Sequence, residues 1–161
     1  MSPFPADLPG FINIAGHCRD VADRMYGQFE TDFKQSQVEH RGIPVHHDRK
    51  AGNLGYEDGF WHMITREDKS RGNRRFFEGK RAAKLPWAKE LLQCAAHPRI
   101  RTWDYDSGRK RKGVRTYVWL EDWDYVVILK RIGRPYMLVT AYDVDDANTR
   151  CYFERLYANR V

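Results

Sequence analysis

The sequence predicts an α+β fold, with N-terminal helices followed by a four-stranded antiparallel sheet and a C-terminal helix. Apolar residues in the first third recur at spacings of three and four, which marks helix. In the last third they form short β-branched and aromatic stretches, which mark strands. Helices, then a meander, then a helix is the order of an α+β chain rather than of alternating βα units. The 161 residues, 42% hydrophobic and 14% aromatic, suit a single domain over 1–161 and argue against intrinsic disorder.

Residues 1–12 carry Pro3, Pro5 and Pro9 and read as an irregular arm. Residues 13–98 read as mainly helical with short extended segments. Ile14, Cys18, Val21, Ala22, Met25, Phe29 and Phe33 line one face of a helix expected over 13–33. A short extended piece is expected at 43–48, then a glycine-rich loop, then the compact apolar run Phe60-Trp61-His62-Met63-Ile64-Thr65. Residues 74–84 read as a short helix, and Pro86 opens another that ends before Pro98. Residues 99–161 supply the sheet and last helix, with strands at 99–105, 114–121, 125–129 and 136–142. The glycine-flanked segment 106–113 is a basic hairpin loop, and Asp145 or Asp146 caps the final helix.

The formal net charge of +6 is unevenly spread. Residues 66–115 hold 16 Lys/Arg against 6 Asp/Glu, so the centre is a polycation between mildly acidic ends. Such a centre suits a polyanion: RNA, DNA, or an acidic protein. No apolar run is long enough for a membrane span, and Met1-Ser2-Pro3-Phe4-Pro5 lacks a secretory pattern. Cys18, Cys94 and Cys151, odd in number and far apart, read as reduced thiols of a cytoplasmic protein.

His62, inside an apolar run and just before the densest basic stretch, suits general acid–base work near neutral pH. A core histidine held by a backbone carbonyl is the alternative. Thr140 and Tyr142, two apart on a strand, share a face with Leu138 and offer hydroxyls to a phosphate; a partly wet sheet face reads equally well. Arg66, Arg74, Arg81, Arg99 and Arg101 are candidate phosphate or RNA ligands, because guanidinium forks match phosphate oxygens. Arg115, held in direction by a strand, joins them. Interleaved aromatics, among them Phe76, Trp103, Tyr105 and Tyr117, either stack on unpaired bases or build the core. His40, His46, His47 and Asp48 cluster in sequence, but adjacent residues of an extended segment point oppositely, and no metal is expected. Phosphate-loop and dinucleotide fingerprints are absent, so no cofactor is expected.

Five blocks occur in order: Gly59–Asp68, Leu85-Pro86-Trp87, Val114–Leu120, Asp124–Leu129 and Leu138-Val139-Thr140-Ala141-Tyr142. Across about residues 40–161 they resemble a family of phage- and prophage-encoded proteins grouped with the barnase/EndoU/colicin/RelE-like nucleases. The resemblance implies a metal-independent, toxin-like or phage-related ribonuclease. The ribose 2′-hydroxyl would attack the adjacent phosphate, leaving a cyclic phosphate and a 5′-hydroxyl. By motif position His62 would be the acid/base group. Arg115 with Arg81 or Arg74 would stabilise the charged phosphate, and Thr140 with Tyr142 would orient the reacting groups. A second proton-transfer group is not identified. An acidic inhibitor or antitoxin would be a natural partner, and a non-catalytic nucleic-acid-binding module or a phage interaction subunit are the competing readings.

Overall fold

The structure, a computed structural model, describes residues 8–161; the Pro3–Pro5 part of the expected arm lies outside them. Its helices are α1 (Cys18–Phe29), α2 (Asp58–Ile64), α3 (Gly79–Ala83), α4 (Trp87–Gln93) and α5 (Ala147–Ala158). The strands are β1 (Glu39–His40), β2 (Ile43–His47), β3 (Thr65–Asp68), β4 (Arg74–Phe77), β5 (Ile100–Asp106), β6 (Val114–Leu120), β7 (Tyr125–Arg131) and β8 (Tyr136–Asp143). The α+β class holds, but the expected four-stranded antiparallel sheet is a six-stranded mixed sheet in the order β1-β2-β8-β7-β6-β5. The meander β5 to β8 is antiparallel, and β2 joins β8 in parallel through Val45–Tyr136, His46–Met137 and His47–Leu138. Parallel pairing over so long a sequence separation leaves no local signature, so the 43–48 segment read as an isolated piece.

A separate hairpin pairs β3 with β4, Thr65 opposite Phe77 and Asp68 opposite Arg74. The single helix expected over 74–84 is therefore a strand followed by the short α3. Gly72 (φ 69°) and Asn73 (φ 60°) turn the chain back in the left-handed region that favours these residue types. The first helix also starts later than its apolar periodicity implies. Gly16, at φ 118°, breaks the run, and α1 begins at Cys18 with Arg19 N–H donating to His17 Nδ1 at 3.3 Å. Asp146 caps α5, its carboxylate accepting from Thr149 N–H at 2.6 Å.

Two apolar clusters sandwich the sheet. Met25 and Phe29 of α1, Phe60 and Met63 of α2, and Leu91 and Leu92 of α4 pack with Val118, Val127, Leu129 and Leu138. Trp103, Tyr117, Trp119, Val126 and Ile128 pack instead with Phe153 and Leu156 of α5. A bulge reverses the alternation within β8. Ile128 pairs with Thr140 and Leu129 with Leu138, which leaves Val139 as the extra residue. Leu138 thus faces the first cluster while Tyr142 packs against the second, so the expected common face of Leu138, Thr140 and Tyr142 is split. Among the described residues no helix is long and apolar enough to cross a membrane.

Candidate active site

The pairing of β2 with β8 ends at Leu138, and α2 takes the place of a strand beside the rest of β8. Phe60, Met63 and Ile64, spaced three and four apart, bury the inner face of α2. Gly59 lets α2 approach β2, because a Cβ there would lie 3.0 Å from both backbone N and O of Asp48. Thr140 Oγ1 then donates to the His62 carbonyl at 2.6 Å, joining the two elements at the residue of interest.

Beyond His62 the chain passes directly from α2 into β3, and the junction is held by two arginines. Thr65 Oγ1 donates to the Trp61 carbonyl at 2.5 Å and accepts from Arg75 Nε at 2.8 Å. The Thr65 carbonyl accepts from Arg75 Nη2 at 3.0 Å and from Arg81 Nη1 at 2.5 Å. Arg75 thereby fixes the backbone beside His62 and keeps Nη1 uncommitted among the described residues.

His62 and Trp61 open into a cleft of about 810 Å³, shared with Arg74, Arg75 and Phe77 of β4 and with His17 and Arg19 at the start of α1. Burial, and then the charge of Arg75, lower the His62 pKa below its ordinary value; Asp58, Asp48 and Glu67 act in the opposite sense. The imidazole is therefore neutral at physiological pH and able to accept a proton. Arg74 is exposed and meets no carboxylate within ion-pair distance among the described residues.

The remaining candidates are distributed as follows. Arg81 is 1% exposed. It pairs with Glu78 at 3.0 Å and covers the Tyr142 ring at 4.5 Å, so it braces the site from beneath rather than facing the cleft. Tyr142 is half-buried under that guanidinium and 6.0 Å from Phe153. Thr140 holds the His62 carbonyl and offers its hydroxyl to the backbone, not to the cleft. Arg66 is exposed on β3. Arg115 lies on β6 between Tyr105 and Lys130, two strands from β8, and does not line the cleft. Arg99 and Arg101 sit at the β5 edge, ion-paired to Asp122 at 3.8 Å and Glu121 at 3.0 Å. Of the sequence candidates, the cleft gathers His62 and Arg74, with Thr140, Arg81 and Tyr142 behind them.

His40 is buried with Nδ1 3.1 Å from the Leu92 carbonyl, His47 packs against Phe29, and His46 is exposed. Among the described residues no three His, Cys, Asp or Glu side chains gather to hold a metal ion. Sequence reasoning missed His17, whose only local signal is its place before α1, and the double role of Arg75 in the basic run. No family model, no curated protein and no solved structure matches the chain.

Proposed function

We propose that the protein is a metal-independent RNA endonuclease acting in the His62 cleft. The observation that carries this reading is one imidazole, held neutral by burial, sharing a cleft with Asp58 and with two arginines that form no ion pair among the described residues. In the reaction, His62 takes the proton of a ribose 2′-hydroxyl as the oxygen bonds to the adjacent phosphorus. Negative charge then grows on the non-bridging oxygens, where Arg74 and the uncommitted Nη1 of Arg75 stabilise it. The bond from phosphorus to the 5′-oxygen breaks, and His17, the other imidazole of the cleft, supplies the proton that oxygen needs. Thr140 and Arg81 act through position: one fixes the His62 carbonyl, the other the chain that follows it.

The experiment is cleavage of end-labelled RNA in EDTA with analysis of the product termini. A 2′,3′-cyclic phosphate and a 5′-hydroxyl are expected. Intact RNA, bound with steep salt dependence, would instead make the protein a non-catalytic binding module.

A further inference from the structure

At one end of the sheet, cations gather beside Asp106 without forming ion pairs among the described residues. Tyr105, Arg115 and Lys130 are register partners across β5, β6 and β7, all half-buried. Arg115 lies two residues from Tyr117 on the sheet face that packs against α5. Lys130 Nζ donates to the Arg111 carbonyl at 3.4 Å, tying the basic hairpin loop to this end. Burial, and then the charges of Arg115, Arg109 and Lys69, push the Lys112 ammonium below its ordinary pKa. Lys69 belongs to the turn between β3 and β4. Among the described residues, none of Lys69, Arg109, Lys112, Arg115 and Lys130 forms an ion pair. Arg115 Nε is moreover buried without a partner.

Aromatic surface accompanies this charge. Tyr152 is 45% exposed and Tyr105 is half-buried. Both, together with Tyr142 and Arg115, act on the Tyr117 hydroxyl, whose pKa is pushed up to about 12, chiefly by burial. Tyr105 stands opposite Arg115 in the sheet, and Tyr152 packs 5.3 Å from Phe153, itself 6.1 Å from Tyr117. Cations packed against one another repel, and a polyanion laid across them removes that repulsion. Tyrosine rings beside phosphate-gripping cations match a strand whose bases are unpaired, since a duplex presents no base face to stack on. An acidic protein would answer the charges but leave the rings without a planar partner.

We propose that this end of the sheet docks single-stranded RNA, with Arg115 and Lys112 on its phosphates and Tyr105 and Tyr152 against its bases. Docking here rests on the cleft acting on RNA and extends that site along the strand.

The test is the affinity of the full chain for a short fluorescent 2′-O-methyl oligouridylate, which 2′-hydroxyl attack cannot cut, across a range of salt concentrations. Lys112→Glu, in an exposed loop where the fold is not at risk, should weaken binding about tenfold. Arg115→Gln should flatten the plot of log affinity against log salt by about 0.7. Tyr105→Leu should weaken binding about fivefold or more. Arg101→Ser, at the neutralised edge, should bind as the native protein does. Native affinity in Lys112→Glu, or equal competition by fully paired RNA, would overturn the docking surface. A protein that binds in this pattern yet leaves ordinary RNA uncut keeps the surface and loses the nuclease. Cleavage of RNA with native KM in Lys112→Glu keeps the nuclease and loses the surface.

Discussion

On the β5 flank, Arg101 lies 3.0 Å from Glu121 and Arg99 3.8 Å from Asp122, and Arg150 reaches the same acidic turn through Glu121 and Asp124. On the cleft flank, Arg66, Arg74 and Arg75 meet no carboxylate within ion-pair distance among the described residues. Arg99 and Arg101 on one flank and Arg66, Arg74 and Arg75 on the other belong to the same basic stretch of sequence, and its net charge says nothing of this division. A cation already answered by an acid has little left to gain from a phosphate; one without an acid has its full attraction available. The contrast separates arginines held in ion pairs from arginines that form none among the described residues.

Substitutions at four positions and one titration sharpen that contrast. Arg81→Met should have the largest effect on stability, about 3 kcal/mol, because it strands Glu78 and removes a donor from the Thr65 carbonyl. Urea unfolding measures it, and a loss under about 1 kcal/mol would deny Arg81 its bracing role. Arg75→Ala should lower RNA cleavage about a hundredfold, comparable with removing one donor to a developing oxyanion. Lys at the same position should restore little, since one ammonium cannot hold Thr65 and face the cleft together. Thr140→Val removes the hydrogen bond to the His62 carbonyl at a cost of about 1 kcal/mol, read from the urea midpoint. Arg99→Ser should change stability by less than about 0.5 kcal/mol and leave cleavage unaltered.

The titration follows from burial of neutral imidazoles. His40, His47 and His62 all have pKa values lowered below the ordinary value, first by burial. The unfolded chain therefore binds protons that the folded chain refuses. Stability is complete above the unfolded value of about 6.5 and is lost as pH falls through the depressed folded values. Thermal melting between about pH 7.5 and pH 5 should show this decline, and His47→Gln should reduce its slope. In the cleavage reaction the same depression moves the acidic limb of the pH–rate profile below the ordinary histidine value, because His62 must be neutral to act as a base.

The parts of the fold set by local pattern were legible. The antiparallel meander from β5 to β8, the basic hairpin loop, an aspartate cap at 145 or 146 and α5 all follow from alternation and turn chemistry; the structure puts the cap at Asp146. What escaped depends on distant contacts. The six residues Phe60 to Thr65 form too short an apolar run to distinguish helix from strand, and the close approach of Gly59 to Asp48 accompanies the helix. The Val139 bulge, which separates Leu138 from Thr140 and Tyr142, has no sequence mark. Strand direction likewise did not reveal that Arg115 points away from the cleft, because the order of strands in the sheet was unknown. His62 and Arg74 were visible as residue types in context. His17 entered only through tertiary packing, brought to the cleft wall by the start of α1.

The central claim is that the unneutralised flank around His62 cuts RNA. The most direct measurement compares native protein and His62→Ala on one labelled RNA in EDTA, with circular dichroism confirming that both are folded. The native protein should yield 2′,3′-cyclic phosphate ends, and His62→Ala should be slower by about a hundredfold or more. Equal rates in the two proteins, or no cleavage by either, would contradict it.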